Sequence, residues 1–380
     1  DTFAPYVINP TAIGPPRPHH FTLELVGLHA TACSSPTGSP AWSSGVMAVM
    51  PVSSLLPAGG GTISATFDTS VCFTSGSISD SSTGAVGGGA VAAAGNAGVL
   101  LSHSSITGSS TSGNGGALLA QLGGSIVCDA VNITDASATG HGGAAAAVTG
   151  ARLITTGPYA GRAAGGVISH STAGGDGGAM YASGQSTVLL QAGLAVHSTS
   201  AASGGALYAS QQALLGTLDV QLSNVTAVSG PGGTVRLLNL GIWQDWASTI
   251  TEVHAASSTD GGVVHATGTG SAAQLYGTDI SVAMTALPAR GGCVFLSGEA
   301  GVWLVGASLH GCKSSGHGGA VYAGDTARLV VSSGASITQS QCTGSGCSGG
   351  AVFLGKLAVA SVAHSTVSHC TAVLHGGCFA

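Results

Sequence analysis

The sequence has few charged and few aromatic residues. Only 6% of its 380 residues are Asp, Glu, Lys or Arg, and only 4% are Phe, Trp or Tyr. An average globular domain carries about a quarter charged residues, so this composition is unusual. With few large apolar side chains available, we expect an interior of thin layers of Ala, Val, Leu and Ile in place of one thick core.

Basic residues and long apolar runs are also scarce. The eight Lys and Arg are scattered along the chain, and the formal net charge is −6. A nucleic-acid-binding surface needs clustered basic residues, so we expect no nucleic-acid partner. No run of about 18 apolar residues is free of Gly or polar breaks. We therefore expect no membrane span in this chain, despite a mean hydropathy of +0.45.

Glycine is abundant, with 64 residues, and much of it is periodic. The first glycines of successive Gly-Gly-x units are Gly60, Gly88, Gly115, Gly142, Gly177, Gly204, Gly232, Gly261, Gly291, Gly318, Gly349 and Gly376. The steps between them are 28, 27, 27, 35, 27, 28, 29, 30, 27, 31 and 27 residues. A nearly fixed period of this size marks a repeat architecture.

Each repeat contains three short apolar stretches separated by turn residues. The fourth position of the Gly-Gly unit is apolar, as at Leu118, Val264 and Val352. Three strands and three turns in about 28 residues predict one rung of a parallel β-helix, with rungs about 4.8 Å apart. We therefore predict an all-β, right-handed parallel β-helix of about twelve rungs over residues 59–380, the hand following from that of parallel crossovers. The Gly pair is expected at a corner where positive φ or close rung packing excludes a Cβ.

Residues 1–58 lack the repeat and are predicted to form an N-terminal β cap. Phe21–Val26 and Val46–Val52 are its strand candidates. The 35-residue step contains an extra Gly165-Gly166-Val167 and predicts an enlarged loop at about 150–176. Because the last unit stops at Ala380, we expect the native chain to continue there or to stack on another subunit.

The repeat resembles that of polymorphic outer membrane proteins and related pectin-lyase-like proteins. The resemblance rests on Gly-Gly-Ala followed by Val, Leu or Met, at 116–118, 178–180, 205–207, 319–321 and 350–352. It implies a parallel β-helix and, for some relatives of this fold, polysaccharide chemistry or adhesion. The Phe-x-x-Asn element of the bacterial repeats is replaced here by Ser- and Thr-rich turns. The Ala, Gly and Ser usage also resembles that of extracellular proteins of green algae.

The fifth position of the Gly-Gly unit is the main candidate binding site. Strand side chains alternate, so this position points away from the core. It holds Tyr181, Tyr208, Arg236, His265, Phe295, Tyr322 and Phe353. These residues predict an exposed aromatic and cationic column that could bind glycans or partner proteins. The alternative is a side-chain ladder that stabilises the stacked rungs.

A carbohydrate-active enzyme of the lyase or epimerase type is the alternative function. Such chemistry generally needs clustered carboxylates beside a basic residue. Asp176 and Asp260 both precede a Gly-Gly pair but lie three rungs apart, so no catalytic residue is assigned. His141, His317 and His375 take the same position and are predicted to be polar turn residues. We expect no metal and no cofactor.

Nine Cys residues favour an oxidising, extracellular compartment. Cys312, Cys342 and Cys370 are predicted to stack in consecutive rungs, so that one adjacent pair forms a disulfide and Cys347 is available to the third. Cys33 and Cys72 could tie the cap to the first rung. A zinc site of Cys342, Cys347, His369 and Cys370 is the alternative. Because the number is odd, at least one thiol is free or pairs outside this chain.

Asn132-Ile133-Thr134 and Asn224-Val225-Thr226 are N-glycosylation sequons. Taken together, these features predict a secreted or cell-surface structural rod. We expect it to act as a scaffold or adhesive element of a wall, filament or surface appendage. Its expected partners are other subunits of an extracellular assembly, or glycans.

Overall fold

The computed structural model describes residues 21–26, 29–31, 47–49, 61–84, 88–156, 166–191, 193–255, 259–282 and 288–380. These residues form strands and turns, with no helix among them. Every strand pairing is parallel, and each strand pairs with strands one repeat away along the chain. The protein is a parallel β-solenoid whose sheets I and II, described below, each contain twelve strands. The all-β fold predicted from the Gly-Gly period is confirmed.

Three long sheets run along the solenoid. Sheet I follows the Gly-Gly pairs and comprises Met47–Val49, Ile63–Thr66, Val91–Ala94, Leu118–Gln121, Ala145–Val148, Met180–Ser183, Leu207–Ser210, Val235–Leu238, Val264–Thr267, Val294–Ser297, Val321–Ala323 and Val352–Leu354. Sheet II comprises Phe21–Val26, Thr69–Thr74, Gly98–Ser102, Ser125–Asp129, Arg152–Thr156, Thr187–Gln191, Leu214–Leu218, Ile242–Trp246, Ala272–Tyr276, Gly301–Val305, Arg328–Ser332 and Val359–Val362.

Sheet III completes each rung with shorter strands. It comprises His29–Thr31, Ser77–Ser79, Ser82–Thr83, Ser105–Thr107, Ser110–Thr111, Asn132–Thr134, Ser137–Ala138, Val167–Ser169, Thr172–Ala173, Ala195–His197, Ser200–Ala201, Gln221–Ala227, Thr249–His254, Asp279–Ser281, Ser308–His310, Ser336–Thr338 and Thr366–Ser368. Lys313–Ser314 and Gln341–Cys342 form a separate two-stranded sheet. In the described part of the chain, no helix has the length and hydropathy of a membrane span.

Three strands of the N-terminal segment extend the solenoid. Phe21–Val26 pairs in parallel with Thr69–Thr74, and Met47–Val49 pairs with Ile63–Thr66. The strand predicted at Phe21–Val26 is therefore present, and the second lies within the predicted Val46–Val52. The rest of the predicted cap lies outside the described residues. Of the enlarged loop predicted at about 150–176, residues 157–165 lie outside the described residues. The predicted bounds are too wide, because Arg152–Thr156, Val167–Ser169 and Thr172–Ala173 are strands of sheets II and III.

The interior is filled by rows of inward-facing side chains from the three sheets. The fourth position of the Gly-Gly unit is fully buried, as at Leu118, Met180 and Val264. Sheet II contributes alternate residues such as Leu275 and Leu304, which are also fully buried. Small Ala and medium Val side chains dominate the core because the three sheets lie close together. This agrees with the thin core expected from the composition.

The two glycines of each unit are required for different reasons. The first has positive φ, for example +71° at Gly261 and +69° at Gly318, a conformation that costs a residue with a Cβ more than it costs Gly. The second has no such φ, but a Cβ on Gly319 would lie 2.0 Å from the carbonyl oxygen of Gly350 in the next rung. Both reasons expected at the corner are therefore present, one at each glycine.

One carboxylate lies inside the solenoid. Asp245 is completely buried on the inner face of strand Ile242–Trp246. The hydroxyl groups of Thr217 and Thr278, in the two neighbouring rungs, donate hydrogen bonds to it. The fully buried Trp243 donates its indole N–H to Thr217 Oγ1 at 2.8 Å, which joins the carboxylate to a larger network. Burial is the main cause that raises the pKa of Asp245, and the hydrogen bonds partly oppose it.

The raised pKa of Asp245 predicts a pH-dependent stability. The folded protein holds this proton more tightly than the unfolded chain, so the free energy of unfolding falls as the pH rises from about 4, the usual Asp pKa, through the folded-state pKa. Asp245→Asn removes this titration. Urea denaturation across that pH range should show the wild type losing stability relative to Asp245→Asn. A difference between the two proteins that does not change with pH would contradict the prediction.

Candidate functional site

The residues at the fifth position of the Gly-Gly unit form one continuous stack on the outer face of sheet I. Tyr181, Tyr208, Arg236, His265, Phe295, Tyr322 and Phe353 pair in register, each with the next. We call this set the ladder. Its rings are nearly parallel, with centroids 5.1 Å apart for Tyr181–Tyr208 and for Phe295–Tyr322. The stack follows because identical positions of a parallel in-register sheet lie directly above one another.

The ladder is not the exposed column that the alternation predicts. Tyr208, His265 and Phe295 are only 6%, 7% and 4% exposed. Tyr181, Arg236, Tyr322 and Phe353 are half-buried. The rings of the ladder stack on one another, and residues from the corner before Gly-Gly stack on Tyr181 and Phe353 or lie against Phe295 and Tyr322. The geometry is therefore that of a stabilising side-chain ladder.

The corner residues that cover the ladder are mostly polar. His141 stacks on Tyr181 with a centroid distance of 4.5 Å, and His317 stacks on Phe353 at the same distance. The guanidinium of Arg290 lies 4.8 Å from the ring centres of both Phe295 and Tyr322. Arg290 also forms a two-point ion pair with Asp260, at 3.0 and 2.7 Å. The hydrogen bond to Asp260 is the main cause that raises the pKa of Arg290.

A second ionic cluster surrounds Asp176. Arg236 lies 3.3 Å from Asp176 Oδ1 and donates to Ser203 Oγ at 2.7 Å. Ser203 donates to Asp176, and the Asp176 backbone N–H donates to His141 Nδ1 at 2.9 Å. The cluster contains a carboxylate, an imidazole, a hydroxyl and a guanidinium, but these groups are bonded to one another. Asp176 and Asp260 have different partners, as their separation in the sequence predicts. These hydrogen bonds and the Arg236–Asp176 ion pair hold successive rungs together at the corner.

The histidines of the candidate site have local, structural contacts. His317 Nδ1 accepts the backbone N–H of Ser348 at 3.1 Å, and Ser348 forms a β-bridge with His375. His141 and His317 are therefore polar turn residues with ring contacts, as expected for the position before Gly-Gly. In the ladder, burial is the main cause that lowers the pKa of His265 to about 3, with Arg236 as the next cause. His265 is consequently a neutral ring rather than one of the cations predicted for the column.

The cysteine pairing differs from the predicted stack. The pairs at disulfide distance are Cys293–Cys312, Cys342–Cys347 and Cys370–Cys378, with Cα–Cα separations of 5.4, 5.9 and 5.0 Å. Pairing of Cys347 agrees with the expectation, whereas a link between adjacent members of Cys312, Cys342 and Cys370 is wrong. Ser314, not Cys312, is opposite Cys342, because the turn after Cys342 is longer than the turn after Ser314.

These pairs also bear on the zinc alternative. Cys342 and Cys370 are each committed to another cysteine, so the proposed set with Cys347 and His369 is not assembled. Cys33, and with it the predicted Cys33–Cys72 link, lies outside the described residues. Three cysteine pairs at disulfide distance favour an oxidising environment.

Both sequons are on the surface. Asn132 is exposed at the start of strand Asn132–Thr134, and its Oδ1 accepts the backbone N–H of Val167 at 3.0 Å. Asn224 is exposed inside strand Gln221–Ala227, where its φ of +50° bends the strand. Its Nδ2 donates to Ser198 Oγ at 3.0 Å. The predicted outward direction of these residues is confirmed, and their glycosylation stays a prediction.

The outer face of sheet II is a candidate site that the sequence pattern did not predict. The segment Ile242-Trp243-Gln244-Asp245-Trp246 alternates in burial, so Trp243 and Asp245 are inside while Gln244 and Trp246 are outside. The same alternation places Gln274 and Tyr276 outside in the next rung. The sequence contains a pattern that could have indicated this face, since a Gln precedes an aromatic residue by two positions in both strands. The pattern does not recur in every repeat.

Comparison with known protein families, characterised proteins and solved structures finds no match. The parallel β-solenoid that the sequence resemblance implies is present, while no comparison supports membership of the polymorphic outer membrane or pectin-lyase-like proteins.

Proposed function

We propose that this chain forms a rigid rod in an extracellular or cell-surface structure, where it serves as a scaffold or adhesive element. The observation that carries the proposal is the unbroken stack of parallel rungs. It is fastened inside by the hydrophobic core and outside by the ladder. Each strand pairs with strands of the neighbouring rungs, so the protein can be long and stiff while its interior stays thin.

Two further features support an extracellular setting. Three cysteine pairs at disulfide distance fasten the last rungs, and such pairs persist in oxidising compartments. Both sequons are exposed and available to a glycosylating enzyme. The groups of the Asp176 cluster are hydrogen-bonded to one another, and no observation in the described residues favours the carbohydrate-active enzyme over the rod.

Protein isolated from its source should test this proposal directly. We expect it in the wall or matrix fraction, with sugar on Asn132 or Asn224 and with the three cysteine pairs oxidised. Peptide mapping by mass spectrometry under non-reducing conditions measures all of these. An intracellular protein with reduced thiols and two unmodified sequons would contradict the proposal.

A further inference from the structure

The outer face of sheet II is uncharged over five consecutive strands. The strands are Thr187–Gln191, Leu214–Leu218, Ile242–Trp246, Ala272–Tyr276 and Gly301–Val305, and in each the first, third and fifth residues point outward. Those residues are Thr187, Leu189, Gln191, Leu214, Gly216, Leu218, Ile242, Gln244, Trp246, Ala272, Gln274, Tyr276, Gly301, Trp303 and Val305. None of them is ionisable at neutral pH. Charged side chains lie around it, at the exposed Arg152 and Arg328 of the flanking strands and at the exposed Asp219 and Glu299 of the bordering turns.

Aromatic rings occupy one part of this face. Trp246 and Tyr276 stack with centroids 5.6 Å apart and planes 10° apart. The indole of Trp303 leans over Gly301, and its ring atoms lie 2.7 Å from where a Cβ of that residue would be. Glycine at 301 therefore makes room for the ring to lie across the sheet. All three aromatic residues are half-buried, so part of each ring meets solvent.

Two carboxamides lie beside the rings, two residues before Trp246 and Tyr276 in their strands and in the same column as Trp303. Gln244 donates its Nε2–H to Gln274 Oε1 at 3.1 Å, and Tyr276 Oη lies 3.5 Å from the same oxygen. These contacts leave the Gln274 amide N–H groups and the Gln244 carbonyl oxygen for an external partner. Gln274 and Trp303 occupy adjacent positions of neighbouring strands, because these two residues are paired in register.

The area and the side chains of this face indicate which class of ligand it can bind. The face is four strand spacings wide and four residues long, which gives an area of roughly 250 Å2. This is well below the roughly 800 Å2 that each partner buries in a stable protein complex. A short carbohydrate needs less area. Its apolar ring faces pack on aromatic side chains, and its hydroxyl groups pair with amide donors and acceptors. The five strands carry no cation of their own to attract an acidic polysaccharide, and the nearest cation on this face is Arg328, in the flanking strand opposite Gly301.

We propose that the outer face of sheet II, centred on Gln274, Tyr276 and Trp303, binds a neutral glycan chain. This inference adds a ligand class to the adhesive role proposed above. The site is distinct from the ladder on sheet I. Its test is also separate, since a rod without a glycan site would still occur in an oxidised, extracellular fraction.

Binding is measured with purified protein and a panel of neutral gluco-, manno- and galacto-oligosaccharides, with polygalacturonate as the acidic comparison. Calorimetry and tryptophan fluorescence should detect at least one neutral ligand, with an affinity unaffected by salt because no charge pair is involved. We expect Trp303→Ala and Gln274→Ala each to weaken binding by about tenfold or more, and Trp303→Phe to keep part of it. His197→Ala, a half-buried surface change on sheet III, is the matched control and should bind as the wild type does.

Denaturation curves will establish that Trp303→Ala and Gln274→Ala keep the fold, as expected for outward side chains. The proposal is overturned if no neutral ligand binds, if only polygalacturonate binds, or if both variants bind like the wild type. It is also overturned if sedimentation shows a dimer that Trp303→Ala dissociates, because the face would then be an interface between copies.

Discussion

Gly319→Ala should destabilise the protein by more than about 4 kcal/mol or prevent folding of the rungs on either side. A Cβ at this position would lie 2.0 Å from the Gly350 carbonyl oxygen, and 2.6 to 2.7 Å from backbone atoms of Gln341. All of these are backbone atoms held by the parallel sheet pairing, so no side-chain movement can relieve the clash. Urea denaturation, with amide hydrogen exchange in strands Val321–Ala323 and Val352–Leu354, measures the effect.

Alanine substitutions at two other glycines distinguish the steric clash at Gly319 from the effect of replacing Gly by Ala on the backbone. Gly346 has an ordinary φ, and no atom lies within 4 Å of where its Cβ would be, so Gly346→Ala should change stability by less than about 1 kcal/mol, in the stabilising direction. Gly277 has φ +63° and equally open space. Ala247 holds a φ of +58° at the same corner one rung below, so Gly277→Ala should cost about 1 kcal/mol. Equal losses in all three variants would show that rung packing does not select Gly319.

Phe295→Ala should lower the free energy of unfolding by about 3 kcal/mol, because it removes a buried ring from the middle of the ladder. The ring stacks on His265 at 5.0 Å and on Tyr322 at 5.1 Å, and the Arg290 guanidinium lies against it. If the ladder were a binding column that did not contribute to the fold, the substitution would leave stability unchanged. Thermal and urea denaturation distinguish the two roles.

Matched variants define the contribution of the stack. Phe295→Leu keeps most of the apolar volume and should lose less stability than Phe295→Ala. Tyr322→Phe keeps the ring and should cost under about 1 kcal/mol, since it removes only the long 3.4 Å contact with Arg290. His265→Phe keeps a ring and removes a buried Nδ1 that has no hydrogen-bond partner among the described residues, so it should be at least as stable as the wild type. A loss in His265→Phe as large as in Phe295→Ala would contradict a stacking role.

Much of the fold could be predicted because every rung repeats the same local structure. Gly-Gly marks a corner, and the alternation of residues after it gives the inner and outer faces. Leu118, Val264 and Val352 are therefore inside and the ladder residues outside, as the pattern indicates. Because the pattern repeats at a constant period, equivalent residues of successive repeats are expected to lie one strand spacing apart. This prediction needs no knowledge of long-range contacts.

The burial of the ladder and the cysteine pairing could not be predicted in the same way. The period gives the position of Arg290 or His141 but not the direction in which a long side chain leans, and that direction closes the ladder to solvent. For the cysteines, the turn after Cys342 is longer than its counterpart in the previous rung, which moves Cys342 opposite Ser314. Counting residues back from Gly-Gly fails when the intervening turn changes length.

The sequence by itself determined the period, the three-strand rung and the glycine corners, because these depend on backbone geometry and on alternation within single strands. Only the tertiary structure decided which residues meet between rungs. It brought Asp176 to Arg236, Asp245 to the hydroxyls of Thr217 and Thr278, and Gln274 to Trp303. Such contacts depend on loop lengths and side-chain directions over separations of 28 to 60 residues. The repeat predicts the rung in which a residue lies but not the residue that it contacts.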